Sequence, residues 1–426
     1  MLLIYTALLY VAAPVVFALT AWRGIRDPAY RDRLWERFGL TSLRGDGSAI
    51  WVHAVSVGEV QAAAPLIRAL RKQHPQRTLI VTTTTPTGAQ RVRALFPDTV
   101  RHAYLPYDLP GAVNRFLERV RPQQAIVMET EVWPNLYRAC ARRGIPIALA
   151  SARLSEKSVR RYRRFAGVFA PALRDLVIGA QTQADAQRFI AIGANPASVH
   201  VTGNIKFDIE VPAQVRADGA ALRSASFAGR KVWVAGSMHA GEEDEVLEAH
   251  RRVLKLHPDA LLILVPRHPN RFDQVRAWLD DSSMRFASRS RQEPVNAGIE
   301  VLFADTLGEL LMLYAAADVA FVGGSLVPLI GGHNLLEPAA LAKPIVTGPY
   351  HANGQDIAQL LLADGAAQEV NCADDLAAAV TKLFAQPERR KEMGEKAQAV
   401  VACNRGALTR AMALIDSASA TSSTSR

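Results

Sequence analysis

Cysteine is scarce in this sequence. The 426 residues include three cysteines, Cys140, Cys372 and Cys403, which are scattered and form no CxxC pair. This scarcity argues against both a disulfide framework and a zinc site. It is typical of a protein that works in a reducing, cytosolic environment.

Several catalytic motifs are absent as well. The sequence contains no HExxH, no P-loop and no GxSxG elbow. No DxD-type acidic motif stands at a convincing strand end. We therefore expect the protein to need neither a metal ion nor a cofactor.

Acidic residues are too few to balance the basic ones. The 40 Asp and Glu stand against 50 Lys and Arg, so the formal net charge is +10, which indicates an anionic partner. A dense basic run contains few aromatic residues and consists of Arg153, Lys157, Arg160, Arg161, Arg163 and Arg164. Because base stacking needs aromatic side chains, nucleic acid is not supported as the partner. A membrane surface or a phosphorylated lipid fits better, and a solvated helix face is the alternative.

The first 22 residues lack charge entirely. As a helix, Met1 to Trp22 would be roughly 33 Å long, enough to cross a bilayer core. A cleaved signal peptide fits poorly because no Lys or Arg precedes the apolar run. The positive-inside rule keeps the rest of the chain in the cytoplasm, since five arginines follow: Arg23, Arg26, Arg31, Arg33 and Arg37. We expect a single membrane anchor, which either spans the bilayer or lies in its interface; a helix packed on the body is the alternative.

Beyond this anchor, apolar strand-like runs alternate with amphipathic helix-like runs. Strands are predicted at 49–55, 78–83, 124–128, 145–150, 176–181, 232–236, 261–265, 300–303, 319–322 and 344–347. Such alternation is typical of parallel sheets covered by helices on both faces. The alternation of strand-like and helix-like runs is interrupted only by a helical connector at 211–231.

The sequence therefore predicts an α/β protein with two doubly wound, Rossmann-like domains. The predicted divisions are an anchor at 1–22, domains at 23–215 and 216–416, and a disordered Ser/Thr-rich tail at 417–426. Gly-containing loops in both halves suggest an enzyme that works in the cleft between two such domains.

Three acidic residues follow predicted strands of the first domain. Glu59 comes shortly after the strand at 49–55, and Glu129 and Glu131 follow the strand at 124–128. Ligands of such sheets bind beyond the carboxyl ends of the strands, where a carboxylate can take a proton from a hydroxyl group. Alternatively, Glu59 only favours the first turn of a helix, whose dipole would lower its pKa and keep it ionised.

Basic residues and glycines mark candidate anion sites. Lys206 lies beside the connector, and Arg267 follows the strand at 261–265, where it suits a phosphate or a pyrimidine. The glycine-rich segment 331–334 precedes a helix start that would favour a phosphate, and Glu337 could bind ribose hydroxyls. The alternatives are a solvated lysine, a turn and an ordinary loop.

Several short blocks together resemble one enzyme family. They are HAVSVGE (53–59), YLPYD (104–108), ETEVWPN (129–135), KFD (206–208), VPRHP (265–269) and GGS (323–325) with GHN (332–334). In this order they are similar to the 3-deoxy-D-manno-octulosonic acid (Kdo) transferases of lipopolysaccharide synthesis. The similarity extends from the N-terminal anchor to at least Asp356.

The resemblance implies a GT-B glycosyltransferase fold at the cytoplasmic face of the inner membrane. It implies CMP-Kdo as donor, a lipid A precursor (lipid IVA) as acceptor, and contact with anionic lipids of the inner membrane. Glu59 would be the general base, and Glu129 and Lys206 would stabilise the transition state. The resemblance places CMP against Pro266, Arg267, Leu307, Gly308, Glu309, Asn334, Leu335, Leu336 and Glu337.

Two other functions are compatible with the residues alone. One is another GT-B enzyme that uses a UDP-sugar on a lipid or peptidoglycan precursor. The other is a catalytically silent, membrane-anchored scaffold protein. Binding of CMP but not UDP would exclude the first, and CMP release in the presence of acceptor lipid would exclude the second.

Overall fold

The chain folds into two compact units. The structure, a computed structural model, describes residues 1–424. The first unit contains residues 1–208 and the segment from Asn404 onward, and the second contains Ile209–Cys403. Each unit has its own parallel sheet and its own buried core.

The sheet of the first unit has seven parallel strands. They are β1 (Ala49–His53), β2 (Leu79–Thr83), β3 (Arg101–Tyr104), β4 (Pro122–Met128), β5 (Ile147–Ala152), β6 (Val177–Ala180) and β7 (Val199–Val201). Their spatial order is β3-β2-β1-β4-β5-β6-β7. Alternate residues of β1 enter two cores, since Trp51 packs on one face while Ile50 and Val52 pack on the other. Burial on both faces explains why the inner strands are continuous apolar runs.

The second unit repeats this architecture. Its strands are β8 (Val232–Met238), β9 (Leu261–Pro266), β10 (Phe286–Ser288), β11 (Val301–Phe303), β12 (Val319–Val322), β13 (Ile345–Thr347) and β14 (Ala367–Glu369). They are parallel and lie in the order β10-β11-β9-β8-β12-β13-β14. The predicted doubly wound α/β class is therefore confirmed for both units.

Helices connect the strands and flank both sheets. Up to residue 208 they are α1 (Leu2–Arg26), α2 (Val57–Gln73), α3 (Pro86–Leu95), α4 (Pro110–Val120), α5 (Pro134–Arg142), α6 (Glu156–Arg164), α7 (Ala166–Leu173) and α8 (Gln183–Ala191). They continue as α9 (Ala213–Ser226), α10 (Glu243–Leu256), α11 (Phe272–Asp281), α12 (Leu310–Ala316), α13 (Leu336–Ala340), α14 (Gln355–Ala363), α15 (Ala373–Ala385), α16 (Pro387–Asn404) and α17 (Ala407–Thr424). The first helix is the one described segment long and apolar enough to cross a membrane.

The strand order reverses direction once in each sheet. In the first sheet β1 lies between β2 and β4, and in the second β8 lies between β9 and β12. At such a switch point the following helices depart to opposite faces and leave a crevice at the carboxyl ends of the strands. Ligand sites are expected at the ends of β1 and β4 and at the ends of β8 and β12.

The predicted domain boundary at 215/216 differs from the structure. The units divide after Asp208, and the last helix returns to the first unit. Asp208 holds that helix, because its carboxylate accepts hydrogen bonds from the Gly406 and Leu408 amides at 2.6 and 2.5 Å. Ala411 and Ile415 then pack into a core of the first sheet.

The predicted disordered tail also differs from the structure. Residues 417–424 continue α17 as a helix, and residues 425 and 426 lie outside the described part of the chain. The Ser/Thr-rich residues that suggested disorder form the end of a helix whose buried side chains begin at Ala407.

Candidate active site

The switch point of the first sheet brings together the residues assigned to catalysis. Glu59 lies in the first turn of α2, which follows β1, and Glu129 directly follows β4. Lys206 lies in a short 3-10 turn, and its Nζ is 3.1 Å from Glu129 Oε1. The charges of both residues also act on Glu59. Residues separated by up to about 150 positions in the sequence thus form one cluster.

Glu59 is anchored through one carboxylate oxygen. Its Oε2 accepts a hydrogen bond from the Val55 amide at 2.8 Å, and the helix N-cap, Ser56, makes no side-chain capping bond. Glu59 therefore fixes the loop between β1 and α2. This contact uses one oxygen and leaves the other for chemistry.

The predicted low pKa of Glu59 is wrong. Burial raises the pKa of this carboxyl group to about 8, and the negative charges of Glu129 and Glu131 add to the rise. The Val55 amide and the Lys206 ammonium lower the pKa by less. Desolvation of the charged form thus outweighs the favourable position in the first helical turn. Glu59 is a stronger base than a typical glutamate, although a smaller fraction is ionised at neutral pH.

Glu129 has an unfavourable backbone conformation. Its φ is 53°, in the left-handed region that a residue with a side chain seldom adopts. Such a conformation persists when the surroundings fix it, and here the Glu129 amide donates to Ala150 O at 3.1 Å. The next residue, Thr130, donates its hydroxyl to Arg153 O. Strain at a strand end is a frequent property of functional sites.

Three polar residues that sequence reasoning missed hold Lys206 in place. Asn204 Oδ1 accepts from the Lys206 amide at 3.0 Å, and Asn204 Nδ2 donates to Gln181 Oε1 at 3.1 Å. Gln181 Nε2 in turn donates to Ser151 O at 2.9 Å. This chain of bonds joins the ends of β5 and β6 to the turn that carries Lys206. Because its partners lie far apart in the sequence, no local pattern indicated it.

The second unit places two of the predicted donor-binding segments near each other. Arg267 follows the end of β9 at Pro266, and its guanidinium has no hydrogen-bond or carboxylate partner among residues 1–424. Its charge acts on Glu337, whose pKa is raised by burial. Asn334 joins this group, since its Nδ2 donates to Glu337 Oε1 at 3.1 Å. Leu335 and Leu336 are buried beside them.

The helix that follows Asn334 is short. Helix α13 has five residues, Leu336–Ala340. Asn334 Oδ1 already accepts from the Leu336 amide at 3.1 Å. So short a helix, with a side chain at its N-terminus, contributes little dipole to a phosphate site. The predicted stabilisation of a phosphate by this helix end is therefore not retained.

Three histidines surround Arg267, and sequence reasoning assigned none of them a role. His239 stacks on His333 at a ring distance of 4.9 Å and meets His268 edge-on at 5.0 Å. Burial lowers the pKa of His333 to about 3, helped by His239, Arg267 and His268. The Nε2 atoms of His239 and His333 are buried without partners in the described chain. Neutral imidazoles beside an unpaired arginine form a site suited to an anion.

A fully buried carboxylate organises the glycine loop after β12. Glu242 is completely inaccessible to solvent, and it accepts backbone hydrogen bonds at 2.7–3.0 Å from His239, Gly324, Ser325 and Leu326. These backbone amides thus bind the carboxylate of a protein side chain. Gly324 O accepts from the Gly332 amide at 2.8 Å. Glu242 therefore links the end of β8 to both glycine loops.

The remaining predicted donor residues lie beside a separate cavity. Leu307, Gly308 and Glu309 precede α12, which begins at Leu310. Glu309 forms a bidentate pair with Arg289, with distances of 2.7 and 2.6 Å. Leu307 and Glu309 line a cavity of about 1000 Å³, whose described lining contains none of the other predicted donor residues.

Among residues 1–424, no group of three or more His, Cys, Asp or Glu side chains is arranged to hold a metal ion. Independence from metal ions and cofactors stays a prediction about the reaction.

Both halves of the chain match families of glycosyltransferases. Residues 32–209 match the family described as 3-Deoxy-D-manno-octulosonic-acid transferase (kdotransferase), and residues 241–400 match Glycosyl transferases group 1. The 3-deoxy-D-manno-octulosonic acid transferases of Haemophilus influenzae and Bordetella pertussis are each 40% identical to this chain, over 96% of it and 97% of their own length. That of Chlamydia trachomatis serovar D is 32% identical over 91% of this chain and 89% of its own.

Solved structures resemble the fold. MurG from Acinetobacter baumannii aligns with a TM-score of 0.52 over 84% of this chain and 99% of that chain, at 14% identity. The C-terminal CMP-Kdo binding domain of WaaA from the same organism covers 44% of this chain and 98% of that chain, at 33% identity and a TM-score of 0.43. The resemblance found in the sequence is confirmed by the relatives: with its two doubly wound units, the chain is a GT-B glycosyltransferase that belongs to the family of 3-deoxy-D-manno-octulosonic acid transferases.

Proposed function

We propose that this Kdo transferase moves Kdo from CMP-Kdo to a lipid A precursor, lipid IVA, with inversion at the anomeric carbon and with Glu59 as the general base. One observation carries the proposal. At the switch point of the first sheet, a half-buried carboxyl group with a raised pKa lies within the field of a Glu129–Lys206 ion pair.

The proposed reaction is a single displacement. Ionised Glu59 takes the proton of an acceptor hydroxyl while that oxygen forms a bond to the anomeric carbon of Kdo. The bond from this carbon to the phosphate oxygen breaks, and CMP leaves with the bonding electrons. One in-line displacement inverts the configuration at the carbon. A base with a pKa near the working pH is effective for such a transfer.

Glu129 and Lys206 are suited to the charges that develop on the sugar. The transition state has positive charge near the anomeric carbon, which a carboxylate stabilises, and Kdo has a carboxylate of its own, which an ammonium can pair with. Both side chains are partly accessible, at 16% for Glu129 and 29% for Lys206. They hold each other in position until the sugar enters.

The donor nucleotide is assigned to the second unit. Arg267, whose guanidinium has no partner in the described part of the chain, can bind the phosphate of CMP-Kdo, with Pro266 beside it. Glu337 and Asn334 offer hydrogen-bonding groups to the ribose. Leu307, Gly308 and Glu309, at or beside the separate cavity, complete the predicted set. CMP-Kdo is the donor that the family resemblance implies.

We place the protein at the cytoplasmic face of the inner membrane, held by its single N-terminal helix. The first helix is long and apolar enough to cross a membrane, and arginines follow its apolar run. The net charge of +10 favours the anionic lipids of that membrane and the phosphates of the acceptor. An enzyme held there meets a lipid acceptor directly.

The deciding experiment is a turnover assay read by mass spectrometry. Purified full-length protein receives CMP-Kdo and tetraacylated lipid A precursor in the presence of EDTA. We expect the acceptor to gain the mass of one or more Kdo units. No gain from folded protein and fresh CMP-Kdo would contradict the proposed donor or acceptor, and competition between CMP and UDP for binding would then distinguish the UDP-sugar alternative.

A further inference from the structure

The N-terminal helix α1 has two faces with different surroundings. One face, the contact face, is half-buried against the first unit at spacings of three and four residues: Leu2, Thr6, Leu9, Ala13, Phe17, Thr20 and Gly24. The other, the outer face, is exposed and apolar: Leu3, Ile4, Leu8, Val11, Val15, Leu19 and Trp22. A helix of 25 residues is about 37 Å long, so the contact face runs along nearly its whole length.

Specific polar contacts fix the contact face. Tyr5 donates its hydroxyl to Asp108 Oδ2 at 3.1 Å, and Thr6 donates to Asn135 Oδ1 at 3.1 Å. Near the other end, Thr20 Oγ1 lies 3.2 Å from the Tyr107 hydroxyl. These bonds occur at both ends of the helix, so they define its direction along the unit.

Aromatic packing supports the same placement. The Phe17 ring lies 5.8 Å from the Phe38 ring and 6.3 Å from that of Trp35. The Tyr5 ring meets the Phe169 ring edge-on at 6.4 Å. Helix α1 is thus packed on the unit and does not project from it.

This packing is incompatible with a bilayer-spanning orientation. The surface beside α1 carries charged groups. Asp108 accepts a hydrogen bond from Tyr5, and the Arg115 guanidinium and the Tyr10 hydroxyl both lie near Gly111. If α1 crossed the bilayer while keeping these contacts, both charges would enter the hydrocarbon, where an ionised group is costly. The backbone of the neighbouring loops would enter it as well, although lipid-exposed irregular backbone is not tolerated there.

We infer that α1 lies in the plane of the membrane interface, docked on the first unit by its contact face and inserted by its outer face into an anionic bilayer. The inference rests on the proposed membrane attachment and specifies its geometry. It decides between a helix that spans the bilayer and one that lies in its interface.

Charge and aromatic residues around α1 match such a surface. Trp22 and Trp35 are more than half exposed, as is common for aromatic side chains at a headgroup boundary. Met1 packs at Gly167, directly after the basic helix α6, whose Lys157, Arg160 and Arg164 are exposed. An amphipathic helix with basic neighbours binds anionic lipid through apolar burial and electrostatic attraction together.

The docked helix is also connected to the candidate active site. Asp108, which accepts from Tyr5, accepts in addition from the amides of Asn135 and Leu136 at the start of α5. Helix α5 begins directly after the segment that carries Glu129 and Glu131. One buried carboxylate therefore joins the membrane helix to the loop at the switch point.

The inference is tested by the accessibility of a cysteine near the start of α1. The full chain carries Leu3→Cys on the outer face, in a background where the exposed Cys372 and Cys403 are replaced by serine. Intact spheroplasts are treated with a membrane-impermeant maleimide, and spheroplasts that have been lysed and dissolved in detergent serve as the control for reactivity. An in-plane helix leaves residue 3 unlabelled until the membrane is dissolved.

This experiment can contradict either the in-plane orientation alone or the membrane attachment as well. Labelling of residue 3 in intact spheroplasts would show a spanning helix and overturn the inference, while the proposed attachment would stand. Recovery of the protein in the soluble fraction, without membrane pellet, would overturn the attachment and the inference together.

A matched pair of lysine variants gives a second measure. Val11→Lys lies on the outer face and Ala13→Lys on the contact face, at nearly the same position along the helix. For an in-plane helix, we expect Val11→Lys to weaken binding to vesicles that contain phosphatidylglycerol while it keeps its thermal stability, because it places a charge on the inserted face, whereas Ala13→Lys loses stability. Equal loss of membrane insertion in both variants would indicate a spanning helix instead.

Discussion

Glu59 carries the proton transfer in the proposed mechanism, and its raised pKa makes that step depend on pH. With a pKa of about 8, about one-tenth of the carboxyl groups are ionised at pH 7. Because only the ionised form accepts a proton, kcat/KM should rise about tenfold per pH unit below pH 8 and level off above it. Glu59→Gln should lose nearly all turnover yet still bind CMP. A flat pH profile, or turnover near that of the wild type in this variant, would remove Glu59 from the role.

The same carboxyl group should make the stability of the folded protein depend on pH. The folded pKa of Glu59 lies above the unfolded value of 4.5, so between these values the folded state binds more protons than the unfolded state. Stability from this group is therefore present at low pH and is lost as pH rises from 4.5 to 8. Glu59→Gln should match the wild type near pH 4.5 and melt at a higher temperature at pH 9. The control is Glu118→Gln, an exposed acid, which should show no such divergence.

Glu242 is expected to position the donor site without touching the donor. An amide in place of this carboxylate would point an N–H donor at two of the four backbone donors, at a cost of about 1–3 kcal/mol. Glu242→Gln should weaken CMP binding at least tenfold by calorimetry and lower the melting temperature. Glu248→Gln, in the helix that follows Glu242, replaces a half-exposed acid and should change neither quantity. Unaltered CMP affinity in Glu242→Gln would contradict the positioning role.

At this scale the sequence predicted the candidate groups better than their surroundings. Glu59 and Glu129 follow predicted strands, and Lys206 lies beside the predicted connector, so a local pattern indicates all three. The pKa of Glu59 depends on burial and on Glu129 and Glu131, which are distant in the chain. Glu242 binds amides 82 to 84 positions away, and no spacing rule connects such residues.

Among the strands, the sequence predicted the inner ones of both sheets and missed the edge strands. All predicted strands are present, with ends that differ by at most about two residues. The missed strands are β3, β7, β10 and β14, the two edges of each sheet. An edge strand has one neighbour and is partly exposed, so it tolerates polar residues and can be short. Strand β7, Val199–Val201, has three residues and none is buried, which leaves no apolar run to detect.

The last helix offers a prediction at the scale of an element. Asp208 caps α17 through two backbone amides, and a lost cap costs about 1–2 kcal/mol. Asp208→Ala should therefore lower the urea midpoint of unfolding, with the strongest loss in signals from the first unit. Asp98→Ala, an exposed acid of the same unit, is the control. Equal midpoints for Asp208→Ala and the wild type would mean that the core contacts of Ala411 and Ile415 hold the helix unaided.

At the scale of the whole molecule, the two units share one strand arrangement but carry different side chains at their candidate sites. Each sheet reverses its strand order once, and each candidate site lies at that reversal. The first unit has a carboxyl group of raised pKa and an ion pair there, which suits activation of a hydroxyl group. The second has an arginine without a partner among residues 1–424, neutral histidines and a glycine loop held by Glu242, which suits an anionic nucleotide. A transferase needs both functions, and the proposed reaction uses one from each sheet.

The division of the chain leads to a test by fragments. Residues 209–403 have a complete sheet and core, so this fragment should unfold cooperatively in urea and bind CMP alone. The first unit is different, because α17 packs against β5 and β6 and shares a core with β5. A fragment of residues 1–208 should therefore expose that core, bind hydrophobic dyes and unfold at lower urea than the same fragment joined to residues 404–426 by a flexible linker. If the two versions unfold at the same urea concentration, the return of the last helix does not complete the first unit.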